Sequence, residues 1–255
     1  MISGRSVSVA QGVAQRGVRN LLKVPPLIAA PMIVPLFFFA AFTGALSAVG
    51  SRQTGYYSFT AFVFVFALYM AAMLVGVFTS FTIALDFESG LGNRLMLAAP
   101  KRMSIIGGYL VVALGRGVLA VAVVFGVAVA AGMEVKGSVL DIAALVALAL
   151  MLNVATTLFG AGVSLRLQSA AAGAVVLIPV YMGMFLTPVF VPRDSLTAWL
   201  KTVSGINPLT ALVESGRGFL AGDPVSVALA FGAGAGLIAL LSIWAVFGMR
   251  KAGRG

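Results

Sequence analysis

Six apolar runs, each long enough to cross a bilayer, are separated along the chain by shorter polar stretches. They cover roughly Val24–Val49, Tyr56–Leu85, Met103–Met133, Val139–Leu165, Ala170–Val191 and Val225–Met249. A helix needs about 20 mainly apolar residues to span the hydrocarbon core. The runs are built from Ala, Val, Leu, Phe and Gly without strict alternation, which predicts helices rather than the strands of a membrane barrel. The expected fold is all-α and integral to the membrane, with six transmembrane helices in one domain over residues 1–255.

Three polar stretches carry a helical pattern of their own. In residues 1–23, Arg16, Arg19 and Lys23 fall on one helical face and Ala14, Val18, Leu21 and Leu22 on another. This predicts an interfacial helix with its basic side toward lipid headgroups. Residues 86–102 read DFESGLGNRLMLAAPKR, with five charges. Each would cost roughly 2.5–3.5 kcal/mol at the bilayer centre, so the segment belongs outside the core. Leu91, Leu95 and Leu97 alternate with Asn93 and Arg94, Pro100 closes the stretch, and Asp86 and Glu88 stand near its start, where carboxylates favour a helix N-terminus. A short amphipathic helix across the membrane face is expected. Residues 192–224 hold a third pattern, with Asn207 as N-cap and Pro208 at the first helical position. Two short helices with a turn near residues 204–207 follow, the first capped by Asp194. On the second, Leu209, Leu212, Val213, Gly216 and Leu220 share a face, and Glu214 and Arg217 are spaced to pair.

Composition sharpens this picture. The chain is 61% hydrophobic and 9% charged, with a mean hydropathy of +1.09. Soluble domains are about 45–50% apolar and about 25% charged, so the solvent here is lipid. With no cysteine and no histidine, disulfides, thiolate ligands and the commonest general base are excluded. The formal charge is +10, but its distribution reads as a topology signal rather than a nucleic-acid surface. Arg5, Arg16, Arg19, Lys23, Arg94, Lys101, Arg102, Arg166, Arg250, Lys251 and Arg254 fall on one side of the expected spans. Arg52, Lys136, Arg193, Lys201 and Arg217 fall on the other. That bias puts both termini in the cytoplasm. The first run followed by ALSA at 45–48 has the flavour of a cleaved leader, but it is too long and starts too late for one.

Charges and breaks inside the spans are few. Arg116 lies midway through the third span and needs a partner, a watery cavity or the headgroups. It reads first as structural and second as part of a passage, with Glu88 or another subunit's carboxylate as candidate partners. Pro31, Pro35, Pro179 and Pro188 are expected to kink helices. Gly232 and Gly236 have small-xxx-small spacing, expected to pack within the chain, and Tyr181–Phe185 reads as core filling. None of the five lysines follows a glycine, so a phosphate-cradling loop is missing, and no span carries clustered acids suited to ion coupling.

The 86–102 stretch resembles the second-to-third connection of ABC exporter permeases of the type-two family, which reads acid, any, acid, any, Gly, then an Arg-Leu-rich helix ending in Pro. Asp86, Glu88, Gly90, Arg94, Leu95 and Pro100 match it; Phe87 and Leu91 stand where a basic residue and a threonine are common. NPLTALVESGRGFL, from Asn207, is similar to the Asn-Pro-Leu-Thr segment of the same family's re-entrant helical pair before the last span. The resemblance implies a cytoplasmic coupling helix docking on a separate ATP-binding subunit, and an outer gate including Asn207, Pro208, Glu214 and Arg217. It also implies a second permease subunit, identical or similar, and a multi-pass location in the plasma or inner membrane among its lipids. The permease would bind no cofactor itself, with ATP and magnesium in the partner. Cargo would be hydrophobic or amphipathic, a drug, antibiotic or lipid, moved outward. The alternative is a secondary transporter or channel independent of ATP.

Overall fold

The computed structural model describes residues 10–17, 19, 26–99 and 102–252, with the side chains of 26–28 and 47–53 outside that description. All regular elements among the described residues are helical. A short helix, α1, covers residues 10–17. It is followed by α2 (Pro26–Thr54), α3 (Phe59–Glu88), α4 (Leu91–Ala98), α5 (Met103–Ala130), α6 (Val139–Leu167) and α7 (Ala171–Phe185). A single 3-10 turn at Arg193–Ser195 precedes α8 (Ala198–Ile206), α9 (Pro208–Ala221) and α10 (Val227–Ala252).

Five of these helices, α2, α3, α5, α6 and α10, are long and apolar enough to cross a membrane. The fifth expected span, Ala170–Val191, is cut short: α7 has 15 residues. At about 1.5 Å per residue it reaches roughly 22 Å, against roughly 30 Å of hydrocarbon. The break has a local cause. Thr187 precedes Pro188, and a residue before proline is pushed out of the helical region. The Thr187 hydroxyl then donates to the Met184 carbonyl at 2.7 Å, satisfying an end of the helix that no further turn can reach. Pro188 therefore ends a helix rather than kinking one. Pro31 and Pro35 lie inside α2, and Pro179 inside α7.

The bundle is organised around α3. It is apolar all round and buried along nearly its whole length, packed by α2, α5, α6, α7 and α9. The α6 helix stands between α3 and α10. Lipid gives helices no hydrophobic reason to associate, so close backbone approach and interhelical hydrogen bonds hold such seams. Both occur between α3 and α6. A Cβ on Gly160 would lie 2.3 Å from the Ser80 Cβ, and one on Gly76 would lie 2.8 Å from the Thr156 Cβ. Asn153 donates its amide to the Ala72 carbonyl at 3.0 Å, and Ser164 its hydroxyl to the Ser80 carbonyl at 2.8 Å. Gly160→Val is expected to cost about 2–3 kcal/mol by overpacking, read as a lowered unfolding midpoint in detergent. A wild-type midpoint would mean the seam is loose.

Two sequence expectations are corrected at the periphery. Gly232 and Gly236 open onto empty space, because the face of α10 that meets α6 carries Gly234, against Met151. The basic face of the N-terminal helix does not point wholly to headgroups either. Val13 is buried over Gly108 and Gly17 sits against Val112, so α1 packs on α5 and turns Arg16 inward. Val18, Leu21, Leu22 and Lys23 lie outside the described residues.

Candidate functional site at the two ends of the bundle

At one end, α3 runs further than its apolar pattern suggests. Asp86 and Glu88 close the last turn of α3 instead of opening α4, where the sequence reading placed them. A helix C-terminus disfavours carboxylates, and each finds compensation elsewhere. Asp86 is buried and takes both Arg16 amines, Nη1 at 2.9 Å and Nη2 at 2.7 Å, and the Tyr109 hydroxyl at 2.6 Å. One carboxylate thereby ties α1, α3 and α5. The forked geometry is the strong form of this contact, and Asp86 holds the Arg16 guanidinium above its ordinary pKa. Glu88 accepts the Ala170 backbone N–H at 2.8 Å, placing its charge at the start of α7, where the helix dipole welcomes it. It is thus committed to α7. Arg116 instead lies buried beside the narrow cleft formed by Arg16, Thr82, Asp86 and Tyr109.

The chain then reverses at Gly90, whose φ of 77° is left-handed. Glycine takes this conformation without the penalty that a Cβ brings. Gly92 lies so close to the Phe87 ring that a Cβ would sit 2.4 Å from it. Together these fix α4 against the end of α3. Its inner side carries Gly92, Leu95, Met96 and Ala99, packed with Phe87 and Ile105. Its outer side carries Asn93, Arg94, Leu97 and Ala98. Leu97 is 90% exposed. Leu95, matched from sequence as a docking residue, therefore braces the helix from within, and the outward apolar side chain is Leu97. Helical spacing groups Leu97 with Arg94 and Ala98, at i, i+3 and i+4, without deciding which face turns inward. Pro100 and Lys101 lie outside the described residues.

At the other end, α8 and α9 form the short helical pair. Asn207 caps α9, its Oδ1 accepting the Leu209 N–H at 3.0 Å while its amide donates to the Gly183 carbonyl of α7 at 2.7 Å. Pro208 occupies the first helical position, as expected. The apolar face with Leu209, Leu212, Val213, Gly216 and Leu220 is buried. Arg217 departs from expectation. Rather than pairing with Glu214, it turns inward, 6% exposed, and donates to the carbonyls of Pro188 (2.7 Å), Val189 (2.7 Å) and Phe62 (3.2 Å). Its guanidinium lies 3.4 Å from the Phe62 ring centroid. Glu214 stays half-buried on α9. Asp194 is not a helix cap but an exposed partner of Lys201 at 2.8 Å, which lowers its pKa.

Between α3, α6, α7, α9 and α10 lies an apolar cavity of about 220 Å³, with Met73, Thr156, Phe159, Gly183, Asn207 and Leu241 in its wall. Its two polar side chains are already engaged: Thr156 donates to the Leu152 carbonyl, and both ends of the Asn207 amide are bonded. The wall offers a guest shape and oil rather than hydrogen bonds.

The profile of the ABC-2 type transporter family matches residues 10–220, from α1 almost to the end of α9. The chain belongs to this family. No curated protein matches the sequence. An ABC-2 permease is a multi-pass membrane protein and the membrane component of an ABC transporter, working generally with an ATP-binding subunit. The ABC-2 membrane domain lacks the ATPase, which lies in that separate subunit. Of the residues matched to the family from sequence, the fold brings Asp86 together with Arg16, Tyr109 and the Arg116 cleft, and Asn207 with α7. It does not bring Glu88 to Arg116, nor Glu214 to Arg217.

Proposed function

We propose that this permease is the membrane half of an ATP-driven exporter, moving a hydrophobic or amphipathic compound outward when a separate ATP-binding subunit presses on α4. The observation that carries the reading is α4 itself: an eight-residue helix pinned from inside by Gly92 and Leu95, with Arg94 and Leu97 turned to solvent. A large apolar side chain left this exposed on a polar face fits a partner's pocket. Gly90 and the Asp86 cluster join α4 stiffly to α3, and α3 runs through the bundle to α9. A push on α4 is thereby delivered to the helix that packs the outer pair.

The remaining parts follow from that reading. ATP and magnesium stay in the partner, and two permease subunits, identical or similar, enclose the path. The excess of basic residues at the α4 end supports a cytoplasmic side for that end and for both termini. The pair α8–α9, with Asn207, Pro208, Glu214 and Arg217, then forms the outer gate, and α7 with this pair completes the sixth crossing. The apolar wall near Phe159 and Asn207 supports oily cargo such as a drug, an antibiotic or a lipid.

Leu97→Glu is expected to weaken co-purification of the ATP-binding subunit at least about tenfold, the scale of a buried interface side chain, with the unfolding midpoint of the permease unchanged. Full retention of the subunit would sink the docking role. The native chain has no cysteine, so a single Leu97→Cys variant reads orientation directly. Labelling by an impermeant maleimide in intact cells would place α4 outside and end the proposal.

A further inference from the structure

Where α5 begins and α10 ends, at the same end of the bundle as α4, the two helices leave a cleft of about 350 Å³ lined by Arg102, Met103, Val246, Met249 and Arg250. It is built like an amphiphile. Its apolar lining is thioether and aliphatic, with Met249 buried, Val246 half-buried and Met103 exposed. The rim carries two exposed guanidinium groups, one from each helix. Among the described residues neither arginine has a carboxylate within ion-pair distance, the ion pairs there being Arg16–Asp86 and Asp194–Lys201. Arg102 occupies the cap position of α5 and makes no side-chain cap hydrogen bond there. The start of a 28-residue helix, the positive end of its dipole, lies at the same rim.

We propose that this cleft holds an anionic phospholipid, its phosphate between Arg102, Arg250 and the start of α5, its acyl chain along Met103, Val246 and Met249. The charge at the rim selects the ligand. Two guanidinium groups on a planar fork geometry suit phosphate oxygens, and a basic pocket between membrane helices is the arrangement that captures acidic headgroups. A zwitterionic headgroup would bring its own cation into a site already cationic. Arg250 and Lys251 also complement the negative end of α10, but that role requires neither Arg102 nor an apolar cleft beside it. The occupant is placed beside the apolar cluster shared by α4, α5 and α10, so it would stiffen the lever there. Only the assignment to the inner leaflet rests on the orientation proposed above.

The test is native mass spectrometry of the purified permease from nanodiscs of phosphatidylcholine with one-fifth phosphatidylglycerol. The wild type is expected to retain phosphatidylglycerol through detergent release, and the double variant Arg102→Gln/Arg250→Gln to retain about tenfold less, with an unchanged unfolding midpoint in phosphatidylcholine alone. Met103→Trp, which fills the cleft and keeps both charges, should lose the lipid as well, separating seated binding from surface attraction. Equal retention by wild type and double variant would overturn the proposal, as would equal retention of phosphatidylcholine. Displacement by millimolar inorganic phosphate without effect of Met103→Trp would show an anion site and no lipid. If Met103→Trp instead releases the ATP-binding subunit while lipid retention stays, the cleft belongs to that subunit. Leu97→Glu, which tests α4 docking, leaves this readout untouched, so the two proposals fail separately.

Discussion

Asp86→Ala should be among the most damaging single changes in the chain, lowering stability by about 2–4 kcal/mol and freeing α1 from the bundle. The size follows from what is left behind. The carboxylate is buried, and its removal strands the Tyr109 hydroxyl and two Arg16 amines that now point at it. Arg16 is itself 46% exposed, so water recovers part of its loss, and the cost stays below that of a fully buried ion pair. Arg16→Ala should be comparably damaging, because it leaves the buried Asp86 carboxylate without its cation and with only the Tyr109 hydroxyl bond described above. The double variant should cost less than the two singles together, since one interaction cannot be lost twice. Unfolding midpoints of the four proteins in one detergent close the cycle, and protease accessibility of residues 10–17 reports the detachment of α1. Strict additivity, with α1 still protected in Asp86→Ala, would show that the contact holds nothing in place. Transport should fall with α1 release, because the Asp86 tie between α1, α3 and α5 is gone.

How much of this was legible in advance depends on distance along the chain. The apolar runs located α2, α3, α5, α6 and α10, since lipid imposes one length and one composition on every crossing. The Asn207–Pro208 start of α9 was equally readable, because a cap is a matter of two adjacent residues. Even the early end of α7 was written locally, in Thr187–Pro188, but the long apolar run through Val191 masked it. The carboxylates were misplaced by a similar masking. Their charge suggested a new element, whereas α3 carries Asp86 and Glu88 on its last turn because Arg16, Tyr109 and Ala170 compensate them from elsewhere. Arg16 is 70 residues from Asp86 and Ala170 is 82 from Glu88, and no periodicity links positions so far apart. Leu95 and Leu97 show a different limit. Both fit an amphipathic pattern, and only the turn at Gly90 and the ring of Phe87 decide which of them faces inward.

Arg217 presents the largest effect at the α8–α9 end of the bundle, and its sign needs argument. A buried cation that forms no ion pair among the described residues is costly to desolvate, so replacing it by a hydrophobe could relieve strain as easily as cause it. Here the carbonyls decide. Pro188 and Val189 lie where α7 has already ended, so their oxygens have lost the helix that would have bonded them, and Arg217 supplies both with charge-assisted donors at 2.7 Å. Arg217→Leu leaves two buried acceptors without a partner, at about 1–3 kcal/mol each. It also removes the guanidinium from the Phe62 ring, worth roughly another 1 kcal/mol. Relief of the buried charge offsets part of this, and a net loss of about 2–4 kcal/mol is expected. Arg217→Lys should recover less than half, because one ammonium cannot reach three carbonyls held in a fork. The loss should be local as well as global. With the segment after α7 released from α9, a cysteine introduced at Val189 should label faster in Arg217→Leu than in the parent, while one at Leu97 labels at the same rate. Unchanged labelling at Val189 would mean that α9 is held by its apolar face alone, and that the α8–α9 pair is seated by packing rather than through this arginine.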